Sequence, residues 1–455
     1  MENIKEILEK QKKFFFSRET LSLEFRLQQL DKLAHSIMAN IDTLLTAFKS
    51  DFNKCEYAVF TTEVGLVLEE IKFMKKNLKK FMKGKKVKGG ITNFPSKAKI
   101  IPEPLGQVLI MSPWNYPFQL AITPLVGAIA CGNTAVVKPS AYAPKVSACI
   151  KKILSVFKEE YITVILGGRE ENQTLLDQKF DLIFFTGSKM VGEIVEKKAS
   201  EHICPVILEL GGKCPCIVDN DCNLKAAVRR IVWGKFLNAG QTCVAPDYIL
   251  VHKDIYEDFI TMAKEQVQEF YYTDGKITSD FPYIINEKHT ERLKSLIEKE
   301  KVVCGGKIKK RLIEPTILRD VTFKDDVMQE EIFGPIMPVV MFEKIENVIS
   351  YINTHDKPLA LYYFGKQNEK RILTETYSGG VCINETVMHV ATHHLPFGGV
   401  GASGMGAYHG LQSLYSFSHM KPVLIKKPRF EIKLKYPPIS NTKKKWSYKI
   451  LGIKY

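Results

Sequence analysis

Apolar residues recur at three- and four-residue spacing early in the chain, at Leu23, Leu27, Leu30, Leu33 and Ile37, and no proline occurs before Pro95. The spacing predicts helices over residues 1–88, ended by Gly89-Gly90 and Pro95. Residues 91–104 then read as short and strand-like, with Lys97-Ala98-Lys99-Ile100 alternating, an arm able to pair with another lobe or subunit. From Gln107 the pattern changes. Short apolar runs at 108–111, 134–137, 162–166, 181–186 and 206–210 are separated, up to Ala199, by helical stretches. Such alternation predicts an α/β fold with a parallel, doubly wound sheet, whose ligands sit outside the carboxyl ends of the strands. Asn115, Lys138, Gly187 and Glu209 fall at those ends.

A second α/β lobe is expected over residues 213–416. It opens with a helix over 224–237, with Asp221 and Asn223 available as caps and Gly240 as its stop, and a strand over 248–251. The tail, 417–455, is basic, contains Tyr436-Pro437-Pro438 and reads as an extended arm.

Two stretches carry candidate chemistry. In N-A-G-Q-T-C-V-A-P, Cys243 lies on a tight connection between a helix and a strand, where a rigid scaffold presents a reactive group. A thiol attacks as thiolate, so this position calls for partial exposure and surroundings that favour the charged form. Most of the ten cysteines are expected to be buried packing residues. Cys214, Cys216 and Cys222 lack paired metal-ligand spacing and a nearby fourth ligand, so no metal site is expected. Upstream, Val-Ile-Leu-Glu-Leu closes on Gly211-Gly212. Glu209 in this apolar run is costly to bury unless paired or raised in pKa, which makes it a candidate general base.

Charge and length narrow the classes. At 455 residues two or three lobes are expected. The net charge of +15 suits an anionic partner or a solvated face, and much of it comes from lysine runs at 75–88 and 443–445. Few aromatics are interleaved with those lysines, so a nucleic-acid partner is not expected and a solvated face is the reading. No apolar run reaches transmembrane length, the first residues lack a signal-peptide core, and a required free thiol fits a reducing cytoplasm.

I-L-E-L-G-G-K followed by G-Q-T-C resembles the aldehyde dehydrogenase superfamily, and W-G-K-F-L-N-A-G-Q-T-C-V-A-P-D-Y-I-L resembles its class 3 branch, which acts on fatty and aromatic aldehydes. The resemblance runs from about Phe15 to Tyr436. It implies a Rossmann-type cofactor lobe (1–90 and 105–210), a catalytic lobe (211–416) and a small β oligomerisation arm with the C-terminal tail (91–104 and 417–455). It also implies NAD or NADP as cofactor and a homodimer. The usual G-x-G-x-x-G after the first strand is absent. Instead the resemblance assigns the cofactor to Ser112, Trp114, Lys138, Gly187, Ser188, Gly192, Leu210, Glu331 and Phe333. Asn115 in S-P-W-N-Y-P becomes an oxyanion donor; without the resemblance it reads as a turn asparagine between Pro113 and Pro117.

One departure concerns the cofactor. Many members carry a glutamate three residues after the lysine, where Ala141 stands here, so the carboxylate that would repel a 2′-phosphate is missing and NADP is expected to be tolerated alongside NAD. The expected reaction is oxidation of a medium- to long-chain or aromatic aldehyde to its acid. A coenzyme A-acylating enzyme and a catalytically silent protein at acidic membrane surfaces are the alternatives; peripheral membrane contact is compatible with catalysis as well.

Overall fold

The computed structural model describes residues 4–430 and 432–453, and expectations for residues 1–3, 431 and 454–455 lie outside them. The chain forms two units, a body of residues 1–81 and 103–419 and an arm of residues 82–102 and 420–455.

The body holds two sheets. The first runs, in spatial order, Gly404–Met405, Val206–Leu210, Leu182–Gly187, Gln107–Met111, Thr134–Lys138 and Ile162–Val164. All neighbours are parallel except Gly404–Met405, which pairs antiparallel to the Glu209 strand. This is the doubly wound sheet that the alternating runs predict. Its order reverses between Gln107–Met111 and Leu182–Gly187, so a crevice opens beyond their carboxyl ends. The strands are buried apolar runs, and helix Ile4–Phe16 lays Ile7 and Leu8 on a core that includes Leu109, Val136, Ile183 and Phe185.

The second sheet runs Val302–Cys304, Thr316–Leu318, Ile336–Phe342, Tyr248–His252, Pro215–Val218, Ala360–Phe364 and Gly380–Ile383. It is parallel except at its Val302–Cys304 edge. Cys214 and Cys216 are buried beside or within it and Cys222 is half-buried, as packing residues would be.

The arm departs from expectation at both ends. The helical reading of residues 1–88 extends too far, because the last helix ends at Met82 and Lys85–Val87 is a strand paired antiparallel to Ala98, Lys99 and Ile100. Gly84 makes the turn: its φ is +66°, and a Cβ there would lie 2.2 Å from the Ile100 carbonyl oxygen. The tail is not extended throughout. After strand Ser418–Lys426 it forms helix Asn441–Ile450, begun by the Ser440 hydroxyl accepting from the Lys443 N–H at 3.2 Å.

Candidate active site

Helix Leu224–Phe236 is capped by Asn223, whose side chain accepts from the Ala226 N–H at 3.1 Å. It stops at Phe236, short of Gly240, because Asn238 and Ala239 both adopt φ 53° in the turn that follows. Two successive non-glycine residues in the left-handed region cost free energy, and the surroundings must hold them there. They do: Asn238 Nδ2 donates to the Asn115 carbonyl at 2.9 Å and to that of Gln241 at 3.2 Å. The wholly buried Gln241 donates to the carbonyls of Asn238 and Tyr283 and accepts from the Ile285 N–H at 3.0 Å. Gly240, at φ 71°, runs so close to Gly334 that a Cβ would lie 2.2 Å from the Gly334 carbonyl oxygen.

This strained loop presents Cys243, partly exposed, in a cavity of about 530 Å³. Its walls are largely aromatic and aliphatic, among them Leu66, Trp233, Phe236, Phe270, Phe281 and Phe397. The surroundings do not favour the thiolate, contrary to the sequence expectation. Burial, with the charges of Glu331 and Glu209 added, pushes the thiol up to about 12, against some relief from the backbone N–H groups of Cys243 and Val244.

Asn115 and Tyr116 follow strand Gln107–Met111 and meet the same loop. Asn115 is buried, and its amide donates to the Gln241 carbonyl at 3.1 Å. The Tyr116 hydroxyl and Thr242 Oγ1 lie 2.7 Å apart. Beneath Tyr116 is a fully buried ion pair, Lys54 to Glu63 at 2.9 Å, with the ammonium 4.5 Å from the tyrosine ring centroid. Glu63 lies on a π-helical turn, Phe60–Val64, and also accepts from the Gln119 N–H at 2.9 Å. The sequence reading missed this pair; two opposite charges embedded in an apolar helical stretch were its only signal.

Glu209 is 2 % exposed, and neither carboxylate oxygen has a hydrogen-bond partner. Burial alone raises its pKa well above the ordinary value. It pairs with Thr186 on one side and Gly404 on the other. Gly404 has φ 143°, and a Cβ there would lie 2.1 Å from the Leu208 carbonyl oxygen, so L-P-F-G-G-V-G-A-S-G-M-G is where backbone presses against the Glu209 strand.

A second cleft, of about 960 Å³, opens beyond the carboxyl ends of the first sheet and includes Ser188, Gly211, Gly212 and Glu331. Glu331 is held by the Gly212 N–H, and burial, reinforced by Asp247, raises its pKa to about 8. Phe333 sits at φ 50°, with its ring edge-on to Trp114 at 5.3 Å. Gly187 and Gly192 are both close-packing positions: a Cβ at Gly187 would lie 2.5 Å from the Phe185 ring, and one at Gly192 2.7 Å from the Leu210 side chain. Ser188 precedes helix Lys189–Ser200, whose N-terminus faces the cleft. Lys138 is buried away from the cleft lining, donating to the carbonyls of Pro139 at 3.1 Å and Gly167 at 2.8 Å.

These residues fit a nicotinamide dinucleotide. Ser112 follows strand Gln107–Met111 and Thr186 is the penultimate residue of strand Leu182–Gly187, the two strands that flank the reversal in the sheet, and their buried hydroxyls lack partners. A helix N-terminus adjoins the same cleft and favours an anionic pyrophosphate.

Comparison with known proteins agrees. The family profile described as Aldehyde dehydrogenase family matches residues 1–423. Aldehyde dehydrogenase family 3 member A2 of Rattus norvegicus is 46 % identical over 440 residues, 95 % of this chain and 91 % of that protein. The 4,4'-diaponeurosporen-aldehyde dehydrogenase of Staphylococcus aureus is 46 % identical over 94 % of this chain and 95 % of its own. A dimeric NADP-preferring aldehyde dehydrogenase of Canis lupus familiaris is 43 % identical over 96 % and 98 %. The solved substrate-bound AldH of Staphylococcus aureus superposes with a TM-score of 0.97 at 44 % identity, covering 99 % of this chain and all of that one. The chain belongs to the aldehyde dehydrogenase family, an enzyme whose cofactor is NAD or NADP.

Proposed function

We propose that Cys243 is the nucleophile, Glu209 the general base and Asn115 the oxyanion donor in the oxidation of apolar aldehydes, medium- to long-chain or aromatic, to free acids. The observation that carries this reading is an unpartnered buried carboxylate whose charge acts on a thiol at the wall of an apolar cavity. In this reading Cys243 Sγ adds to the aldehyde carbon once its proton has passed to water. Glu209 is kept for the later hydrolysis, where a raised carboxyl pKa makes it a stronger base. Asn115 commits one amide hydrogen to Gln241, and the other serves the new oxyanion beside the Cys243 N–H. A bound nicotinamide supplies the hydride acceptor. Glu209 then takes a proton from the water that opens the Cys243 thioester, releasing acid without coenzyme A.

For the cofactor, Ser112, Ser188 and Gly187 line the approach to the helix N-terminus, with Gly192 and Leu210 packing that helix on the sheet, while Glu331, Phe333 and Trp114 bound the nicotinamide end. Lys138 serves the adenosine ribose after leaving its backbone carbonyls. The body then divides at about residue 210 into a cofactor lobe and a catalytic lobe. NADP is tolerated alongside NAD because no carboxylate stands at Ala141. The enzyme is a cytoplasmic homodimer joined through arm strands; ten free thiols and the dimeric relative support this.

The test is NAD(P)H formation from a panel of aldehydes without coenzyme A. Wild type turns over, Cys243→Ala does not, and Glu209→Gln gives a burst that stalls. Turnover that requires coenzyme A contradicts the reading.

A further inference from the structure

Lys189 is the first residue of helix Lys189–Ser200, whose N-terminus faces the cleft of about 960 Å³. Its ammonium pairs with Asp356, Nζ lying 2.8 Å from Oδ2. The helix follows strand Leu182–Gly187 of the first sheet, while Asp356 lies between helix Ile345–Thr354 and strand Ala360–Phe364 of the second. Both residues line the cleft, so the pair joins elements of the two sheets there. Its side chains are 52 % and 72 % exposed. An exposed pair of this kind contributes little, and a stronger anion displaces it at small cost.

The other lysines of the cleft lining are placed differently. Lys213 Nζ is held by the Asp247 carboxylate and by the carbonyls of Val327 and Glu330, each at 2.8 Å. Lys357 Nζ lies 5.4 Å from the centroid of the Tyr377 ring. Among the described lining residues, Lys189 is the lysine that combines a place on the helix N-terminus with a displaceable partner. The groups around it await an anion. The Ser188 side chain makes no cap hydrogen bond to the helix, and the buried hydroxyls of Ser112 and Thr186 are unpartnered. A pyrophosphate at this N-terminus carries two negative charges, against one on Asp356.

We propose that Lys189 is a further cofactor-binding residue, whose ammonium leaves Asp356 to pair with the dinucleotide pyrophosphate, and that Asp356 competes with the cofactor for it. This rests on the cofactor placement proposed above. An ammonium–phosphate hydrogen bond at a helix N-terminus is charge-assisted and outweighs an exposed lysine–carboxylate pair. The exchange runs backward as the cofactor leaves, so Asp356 lowers affinity and favours release. NAD and NADP share the pyrophosphate, and Lys189 therefore serves both.

The experiment is isothermal titration calorimetry of the full-length protein with NAD, NADP and ADP-ribose, in the absence of aldehyde. Lys189→Met raises the Kd about tenfold for all three, and Lys189→Arg recovers most of the affinity. Asp356→Asn lowers the Kd about threefold. In the double variant that gain disappears and the Kd matches that of Lys189→Met, because the carboxylate acts through the lysine. Thermal unfolding at the wild-type midpoint shows that each variant is folded. The proposal is overturned if Lys189→Met or Asp356→Asn leaves the Kd unchanged. A loss confined to NADP overturns it as well, since the lysine would then meet the 2′-phosphate. So does a gain from Asp356→Asn that persists without Lys189, which makes Asp356 a merely repulsive charge. Wild type that binds none of the three overturns the cofactor cleft itself, and the proposal with it.

Discussion

Cys243 and Glu209 share a feature that a linear reading can find, a reactive side chain in a local setting that does not suit it, and their placement was legible for that reason. Their electrostatics were not. Thiolate-favouring surroundings were expected for Cys243, and burial with two nearby carboxylates produces the reverse, a thiol raised to about 12. Because the Glu209 charge is one cause, Glu209→Gln should lower the Cys243 pKa. Iodoacetamide alkylation of the cofactor-free enzyme against pH should then show its midpoint moving to lower pH in the variant. A midpoint that rises would mean that Glu209 does not act on the thiol. At the cofactor end, Ala141→Glu restores a carboxylate near a 2′-phosphate, and the KM for NADP should rise about tenfold or more while that for NAD changes little.

At the scale of elements, strands and helices were read closely where periodicity was strong, and the misses have physical causes. Helix Leu224–Phe236 ends within one residue of its expected end, but the left-handed Asn238 and Ala239 that follow it are held partly by the Asn115 carbonyl, distant in sequence, which no local residue signals. The Lys54–Glu63 pair under Tyr116 was hidden in the same way, since its neighbours Tyr116 and Gln119 are distant in sequence. Removing one partner leaves an unpaired buried charge, so Lys54→Met should cost roughly 3–5 kcal/mol in urea unfolding, and adding Glu63→Leu should recover part of that loss. Helix Gly65–Met82 offers a pH test. Burial, eased by the Gly410 N–H, raises Glu70 from its ordinary 4.5 to about 7. Between those values the native state binds more protons than the unfolded one, so this group's contribution is fully present below the unfolded pKa and is lost as pH rises through that window. Glu70→Gln should flatten the stability profile there and stabilise the protein above pH 7 by on the order of 3 kcal/mol. Unchanged slope in both enzymes would show that the carboxyl is not so shifted.

For the whole molecule, the α/β class and the doubly wound sheet followed from the alternation of short apolar runs with helices. The cavity did not, because its wall joins residues as distant in sequence as Leu66, Phe270 and Met388. The account rests most on a thioester at Cys243 that Glu209 helps to open. Its most direct measurement is mass spectrometry of Glu209→Gln incubated with NAD and an apolar aldehyde such as decanal, then digested. The account predicts an acyl adduct accumulating on the Cys243 peptide and absent when Cys243→Ala is added. No adduct, or the same adduct on another cysteine, would contradict it.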